Sequence, residues 1–262
     1  MPAGRFIMDR TALGADRDLE LDSDIAHQVR DVLRLSTGDT LRLLDGEGLE
    51  YRAVVTAMDR KRVLVRTTQP VPGIARPAVR VVLCQGMLKS ARYEWILQKG
   101  TELGVCEFIP MQCQRSVSAS EEASDSKMRR WTKITREAVE QSGGSYLPTL
   151  REPQPFAAAI SDMQPGTIAI IPWEGTRERP LSTTVREQVR DAGGLTRVAE
   201  IRLFIGPEGG FTPAEIDLSR QAGVIPVTLG ARILRAETAA IVAAALALDA
   251  AQALDHGPRP GS

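Results

Sequence analysis

The sequence predicts an α/β protein in two parts, a small β-rich domain at residues 1–70 and a larger domain at 79–254. From residue 79 onward, apolar runs of strand length alternate with helix-length amphipathic segments, which is typical of a mostly parallel sheet covered by helices on both sides. Before residue 70, short apolar runs separated by Asp/Gly turns indicate hairpins. A Pro-containing stretch lies between the two patterns, and we assign residues 71–78 to a linker.

The N-terminal domain is predicted to hold one helix and three strands. Asp24 can cap a helix through Leu35, because an apolar stripe recurs at helical spacing along it. Strands follow at residues 40–44, 50–57 and 62–68, with turns between them. The sequence therefore predicts the outline of a small β-barrel.

The larger domain is predicted to alternate strands and helices. Strands are expected at residues 79–84, 107–111, 167–171, 201–205 and 224–229. Helices are expected near 92–103, 126–141, 179–191 and 237–254. The Ser- and Glu-rich stretch 116–126 predicts a mobile loop, and the Gly/Pro-rich tail 255–262 predicts disorder.

Two loops near the C-terminus indicate a ligand site. The first, Gly206-Pro207-Glu208-Gly209-Gly210, follows a strand and precedes a helix that Thr212, Pro213 and Glu215 can cap. The second, residues 230–235, follows the next strand and precedes an Ala-rich helix. Two successive strand–loop–helix units predict neighbouring parallel strands, whose carboxyl ends are where α/β proteins bind ligands.

The glycine loop matches neither common phosphate-binding motif. Its three glycines allow close backbone approach and positive φ, but Glu208 adds a negative charge and no Lys follows. Taken alone, the loop is also explained as a tight strand-to-helix turn.

Composition narrows the function classes. Net charge is zero from 33 basic and 33 acidic residues, so binding to nucleic acid must use local patches. The three cysteines lack metal-ligand spacing, which predicts free thiols, a reducing compartment and no metal site. No stretch has the length or pattern of a signal peptide or a membrane span, so we expect a cytoplasmic protein with no membrane contact.

Several motifs together carry a family resemblance. IGPEGGFTPAEI and LGARILRAETAAI lie at the C-terminus, preceded along the chain by HQVRDVLRLSTGD, QKGTELGV and EAVEQSG. The paired C-terminal motifs resemble the signature of the SPOUT methyltransferases, and within them the ribosomal RNA small-subunit methyltransferase E family. The resemblance implies a PUA-like N-terminal domain and a C-terminal domain with a trefoil knot. It further implies a homodimer that uses S-adenosylmethionine to methylate N3 of a uridine in 16S rRNA, in the small ribosomal subunit.

The resemblance also implies the residues that bind the methyl donor, which belong to three loops at strand ends. They are Pro172, Trp173, Ile205, Gly206, Pro207, Glu208, Gly209, Gly210, Leu229, Gly230, Ile233, Leu234, Thr238 and Ala239. Trp173 is expected beside the adenine, although a packed aromatic explains it equally well.

The chemistry requires a group that handles the proton on uridine N3, because the protonated nitrogen is a poor nucleophile. Arg235, Glu237 and Glu208 are the candidates near the donor loops. We expect Arg235 to hold the uracil carbonyls or a phosphate, and Glu237 to act as a catalytic group. A simple helix-terminal charge also explains Glu237.

RNA contacts are expected from two sets of basic residues. The N-terminal set is Arg5, Arg10, His27, Arg30 and Arg34, and the helical set is Arg129, Lys133 and Arg136. Solvated surface charges are the alternative for both sets. After EAVEQSG the family commonly has Arg where this chain has Gly144, so whatever that Arg contacts is handled differently here.

Two other functions fit the same motifs. One is a SPOUT methyltransferase acting on tRNA or 23S rRNA, since a fold does not determine its substrate. The other is a non-catalytic RNA-binding assembly factor that has kept the fold.

Overall fold

The computed structural model describes residues 4–116 and 125–251. Most of the predicted mobile loop and all of the predicted disordered tail lie outside the described residues. The chain forms two compact units. The first comprises the described residues of Met1–Ala75 together with Val139–Leu147, and the second those of Arg76–Ala138 and Pro148–Pro258. The segment Val139–Leu147, which the sequence placed with the larger domain, thus belongs to the first unit.

The first unit is built on a five-stranded mixed sheet. Its elements are β1 (Arg5–Ile7), β2 (Asp18–Glu20), α1 (Ser23–His27) with a π-helical turn at Gln28–Val32, β3 (Thr40–Leu44), β4 (Leu49–Met58) and β5 (Val63–Pro72). The strand order is β1-β3-β4-β5-β2, with β1 parallel to β3 and the other pairs antiparallel. Alternate residues of β3 and β5, such as Leu41, Leu43, Val63 and Val65, are fully buried in its core.

Three local predictions for this unit differ from the structure. Asp22, not Asp24, caps α1, because its Oδ1 accepts a hydrogen bond from the Ile25 amide at 2.9 Å. Strand β5 continues to Pro72, into the predicted linker, because Pro70 and Pro72 pair with β4. The three-residue strands β1 and β2 were not predicted, since so few residues give no periodicity. Among the described residues, β1 and β2 form the two ends of the strand order, and no ladder between them closes the expected barrel.

The second unit contains a parallel sheet with helices on both faces, which confirms the predicted α/β class. Its elements are β6 (Arg80–Gly86), α2 (Ser90–Leu103), β7 (Glu107–Gln112), α3 (Asp125–Ser142, whose last turn belongs to the first unit), β8 (Thr149–Leu150), β9 (Gln154–Pro155), α4 (Phe156–Ser161), β10 (Thr167–Pro172), α5 (Leu181–Asp191), β11 (Glu200–Ile205), α6 (Pro213–Gln221), β12 (Ile225–Val227) and α7 (Ala236–Ala250). The strand order is β12-β10-β11-β6-β7-β8, with β9 also on β7, and every pair is parallel.

Side chains of the central strands alternate between two apolar layers. In β6, Val81 and Leu83 face the cluster that includes residues of α2, α5 and α7, whereas Val82 and Cys84 face the cluster with residues of α4 and α6. This two-residue period is what strands buried on both faces require.

One prediction about the sheet is wrong. The sequence placed the strands around the two C-terminal loops side by side, but β10 lies between β11 and β12. A helical crossover can pass over a strand, so adjacency in sequence does not fix adjacency in the sheet. The trefoil knot stays a prediction.

Candidate functional site

The site is formed where three neighbouring strands end. Strands β10, β11 and β12 are parallel and adjacent, so Pro172, Ile205 and Val227 all lie at the same edge of the sheet. The loops that follow these residues therefore meet, as the ends of parallel strands do in α/β proteins. β10, between the other two, brings residues 172–174 close to both C-terminal loops.

Two adjoining cavities open at this edge. The larger, of about 940 Å³, is lined by the loops after β10 and β12 and by the start of α5. The smaller, of about 430 Å³, is lined by the glycine loop, the start of α7 and Arg92. Their shared wall consists of Pro172, Glu174, Ile233, Leu234 and Ala239.

The predicted donor residues divide between the two cavities. Trp173, Leu229 and Gly230 line only the larger cavity. Ile205, Gly206, Pro207, Glu208, Gly209 and Gly210 line only the smaller one. Pro172, Ile233, Leu234 and Ala239 line both, whereas Thr238 lines neither.

The glycine loop is held in place by contacts with residues that the sequence did not indicate as part of the site. Gln85 Nε2 donates a hydrogen bond to the Gly206 carbonyl at 3.2 Å, and Arg115 Nη1 donates to that of Gly209 at 3.1 Å. A Cβ on Gly86 would lie 2.6 Å from the Pro207 nitrogen, so the loop rests directly on the end of β6. Only the tertiary structure brings these residues to a loop about a hundred positions away.

The helix after the glycine loop begins with the predicted capping box. Thr212 Oγ1 accepts from the Glu215 amide, and Glu215 Oε2 accepts from the Thr212 amide. Glu215 Oε1 also accepts from the Gln114 amide at 2.9 Å, which ties the loop to the segment after β7. Since amides at the helix start already have partners, this helix offers fewer donors for a phosphate.

Trp173 lies half-buried at the edge of the larger cavity. Its ring occupies the space where Gly175 would carry a Cβ, and the Arg220 guanidinium lies 5.2 Å from the ring centroid. The side chain is therefore both packed and part of the cavity wall, so the two interpretations from the sequence are compatible.

The two residues predicted to be catalytic lie at the smaller cavity. Arg235 and Glu237 both line it, Arg235 as the exposed N-cap residue of α7. Arg92, which no sequence pattern indicated as a site residue, pairs with Glu208 (Nη1–Oε1, 2.6 Å) and lies near Glu237 (Nε–Oε1, 3.9 Å). The other oxygen of Glu237, Oε2, is buried and has no hydrogen-bond partner among the described residues.

The predicted RNA-contact residues of the first unit have different environments. Arg5 is largely buried, because it pairs with Glu50 and donates to the carbonyls of Gly143 and Gly144. Arg10 is exposed and pairs with Glu47. His27 and Arg30 both contact Asp31, and Arg30 hydrogen bonds hold the pKa of that carboxyl at about 2. Arg34 is exposed.

The helical basic set is more open. On α3, Arg129 and Lys133 are exposed, and the Lys133 ammonium is 3.9 Å from Glu137. Arg136 is partly buried. The helix thus presents at least two cations to solvent along one face.

Other candidate chemistry is not seen in the described part of the chain. No group of three or more potential metal ligands occurs there, and no helix there is long and apolar enough to cross a membrane. The cysteines are free thiols, and burial raises the pKa of Cys84 well above its ordinary value and that of Cys113 to about 12.

Comparison with known proteins gives consistent matches. The model of an RNA methyltransferase domain matches residues 75–248, and the PUA domain of RNA methyltransferases matches 21–68. The chain is 30% identical to the ribosomal RNA small subunit methyltransferase E of Bacillus subtilis, over 83% of this chain and 84% of that protein. It is 30% identical to the protein of the same name from Rickettsia conorii, over 92% of both chains.

Two solved structures also match over nearly the whole chain. The first is the ribosomal RNA small subunit methyltransferase E from Neisseria gonorrhoeae bound to S-adenosyl methionine, with a TM-score of 0.78 and 25% identity over 93% of this chain and 95% of that one. The second is a methyltransferase from Legionella pneumophila with bound SAM, with a TM-score of 0.78 and 27% identity over 95% and 98%.

Proposed function

The chain belongs to the RNA methyltransferase family, and from that membership we propose that it transfers a methyl group from S-adenosylmethionine to N3 of a uridine in small-subunit (16S) ribosomal RNA. The observation that carries this proposal is the convergence of three strand-end loops on two adjoining cavities. One of these cavities is lined by Glu237, whose buried Oε2 has no hydrogen-bond partner among the described residues. Relatives named for small-subunit ribosomal RNA supply the substrate class.

We assign the donor to the boundary between the cavities. One ligand bound along the shared wall can reach both the larger cavity and the glycine loop, because that wall (Pro172, Glu174, Ile233, Leu234 and Ala239) borders both cavities. Backbone groups of Gly206, Gly209, Gly210 and Gly230 are accessible there because no Cβ covers them. Thr238 lines neither cavity, so we assign it no direct contact with the donor; it belongs to the first turn of α7, which borders the site.

We assign the target base to the part of the smaller cavity that the donor leaves free. The sulfonium donor is already activated, so the protein must mainly orient it and remove the N3 proton. Glu237 is the proposed base, because it lines this cavity and its buried Oε2 has no hydrogen-bond partner among the described residues. Arg235, exposed at the rim, is placed to hold the uracil carbonyls or a neighbouring phosphate.

RNA docking is proposed for basic residues that are exposed or partly exposed. Arg10, His27, Arg30 and Arg34 of the first unit and Arg129, Lys133 and Arg136 of α3 are retained for this role. Arg5 is left out, because its guanidinium is committed to Glu50 and two backbone carbonyls. A ribosomal substrate also implies a cytoplasmic location.

A homodimer is proposed, with helix α7 as its interface. The small residues Ala240, Ala243, Ala244 and Ala247 of α7 are fully buried in the core of their own unit. A partner would therefore meet the remaining face of α7, around Ile241, Val242 and Ala245, which are partly exposed. Light scattering of the purified protein tests this, and a monomer at micromolar concentration would count against it.

The first experiment is nucleoside mass spectrometry. The protein is incubated with isotopically labelled donor and with unmethylated small ribosomal subunits, naked 16S rRNA, or tRNA and large-subunit RNA in parallel. Labelled 3-methyluridine in small subunits or 16S rRNA is expected. Label found only in tRNA or large-subunit RNA would show that the enzyme acts on a different RNA. A methylated nucleoside other than 3-methyluridine would show that the methyl group is not transferred to N3.

The donor site is tested by Gly209→Arg. A Cβ added at Gly209 would lie 2.9 Å from Arg115 Cβ, so a large side chain must displace the glycine loop. An enzyme should lose donor binding and methylation while keeping its affinity for RNA. If wild type binds RNA but neither binds nor uses the donor, the protein is an assembly factor that has kept the fold.

The role of Glu237 is tested by Glu237→Gln, which keeps the shape and removes the base. We expect kcat to fall by about 100-fold or more, as general-base loss typically does, with donor affinity retained. A pH–rate profile and a rate equal to those of wild type would remove Glu237 from the mechanism.

A further inference from the structure

Arg92 is the one residue of α2 that lines the smaller cavity. It lies in the first turn of the helix, where its amide donates to the Lys89 carbonyl at 3.0 Å. The next residue, Tyr93, is fully buried and stacks on Trp131 with ring centroids 4.5 Å apart. The backbone of Arg92 is therefore fixed, and its side chain reaches the cavity from a rigid support.

The guanidinium of Arg92 lies between the carboxylates of two separate donor-site segments. Glu208, in the glycine loop, accepts from Nη1 at 2.6 Å. Glu237, at the start of α7, has Oε1 at 3.9 Å from Nε, within ion-pair range but beyond hydrogen-bond distance. Only Arg92 among the described residues is seen to pair with both carboxylates.

The two oxygens of Glu237 are not equivalent. Oε1 faces Arg92, whereas Oε2 is buried and has no hydrogen-bond partner among the described residues. Burying a carboxylate oxygen without a hydrogen-bond partner costs free energy unless a ligand or a water molecule donates a hydrogen bond to it. The cation beside Oε1 and the unpartnered Oε2 on the other side give the carboxylate a defined orientation in the cavity.

We infer that Arg92 is a positioning residue, which Glu208 anchors and which holds Glu237 with Oε2 directed at the proton of the target base. This inference rests on the proposed methyl transfer. The N3–H bond breaks as the proton moves to Glu237 Oε2, and its electron pair stays on N3. That pair forms the N–CH₃ bond, while the electrons of the C–S bond leave on sulfur and give the neutral thioether product. Glu237 then releases its proton to solvent.

The test compares kinetics and donor binding in a set of matched variants. Arg92→Met removes the cation, Arg92→Lys keeps it, and Glu237→Gln and the double variant Arg92→Met/Glu237→Gln test whether both act in one step. Arg190→Met is the control, because Arg190 forms an exposed ion pair with Asp191 in the same unit and lines neither cavity. Small ribosomal subunits are the substrate, and calorimetry without RNA gives donor affinity.

Arg92→Met should lower kcat by about 100-fold, the cost of a misplaced catalytic group, with donor affinity and the KM for subunits changed by less than about threefold. Arg92→Lys should recover about tenfold of that loss, because it restores the charge without the planar guanidinium. The double variant should be no slower than Glu237→Gln, since groups acting through one step are non-additive. The control should match wild type.

An unchanged kcat in Arg92→Met would overturn the inference, and so would a double variant that is slower than wild type by the product of the single effects. If the melting temperature of Arg92→Met is lower than that of the control, its low kcat could come from lost stability, and Arg92→Lys becomes the deciding variant. A folded Arg92→Lys variant with a kcat no higher than that of Arg92→Met rejects the charge-based role. If Glu237→Gln is as fast as wild type, the inference fails while the methyltransferase stands. If wild type does not methylate any RNA, the proposed function itself fails.

Discussion

At the residue scale, two arginines show how environment decides the role of one side-chain type. Arg5 is only 12% exposed and pairs with Glu50, which is 2% exposed. Arg92 is 41% exposed and faces a cavity. Both lie close to carboxylates, but only Arg92 has room for a ligand beside it. Arg5 therefore stabilises the first unit, whereas Arg92 is available to the site.

Arg5→Met should destabilise the protein by about 3 kcal/mol at pH 7, because it leaves a buried carboxylate without its main partner. Burial alone would raise the pKa of Glu50, but hydrogen bonds from Arg5, Ser145 and Arg42 hold it below its ordinary value. A lowered folded-state pKa stabilises the protein above the unfolded carboxyl pKa of about 4.3, and this is lost as pH falls through the folded value. Urea unfolding at pH 7 and near pH 3 should show the difference between variant and wild type shrinking in acid.

Arg42→Met is the matched comparison, since Arg42 pairs with the same carboxylate but is 38% exposed. It should cost less than Arg5→Met, because a more exposed ion pair is worth about 1 kcal/mol or less. If Arg5→Met weakens RNA binding without changing the free energy of unfolding, Arg5 contacts RNA after all.

At the element scale, helix α6 connects the donor loop to the rest of its unit. Its capping box was predictable from Thr212 and Glu215 three residues apart. The sequence did not indicate that Glu215 is 5% exposed or that it also accepts from the Gln114 amide. One carboxylate thus closes the helix start and joins two segments that are far apart in sequence.

Glu215→Ala should therefore cost more than Thr212→Ala. Removing Glu215 leaves the Gln114 and Thr212 amides without their charged acceptor, a loss of about 3 kcal/mol, whereas loss of the Thr212 cap costs about 1 kcal/mol. Denaturant unfolding measures both, with the exposed Glu187→Ala as control. Because the glycine loop precedes this cap, donor affinity should fall in Glu215→Ala as well. Equal costs for the two variants would show that the Gln114 hydrogen bond contributes nothing.

At the scale of the whole molecule, a protein with zero net charge is proposed to bind a polyanion. Local cations must then supply the attraction, and they occur in the first unit and on α3. Their contribution is separable from the donor site, because none of these residues lines either cavity.

Arg30→Gln/Arg34→Gln and Arg129→Gln/Lys133→Gln should each weaken RNA binding by about tenfold. Each should also lower the slope of log affinity against log salt, by about one for every phosphate that the variant no longer neutralises. Donor affinity should stay at the wild-type value. Filter binding at several salt concentrations measures the slope, with Arg190→Gln as control. A slope unchanged in either double variant would identify that pair as solvated surface charge.

The sequence by itself determined the features that depend on local signals. Strand and helix periodicity gave the α/β class, the Thr212–Glu215 spacing gave the helix start, and the paired C-terminal motifs led to the family and its donor. Most strands and helices of the second unit lie within a few residues of their predicted bounds. These features could be predicted because their physical causes act between residues only a few positions apart.

Only the tertiary structure decided which distant residues meet. It placed β10 between β11 and β12, brought Arg92 to Glu208 and Glu237, and turned Arg5 inward onto Glu50. The sequence shows the charge of each side chain but not its partner, since ion pairing and burial depend on how the whole chain packs. The donor loops were therefore predictable, whereas the group proposed to orient the catalytic carboxylate was not.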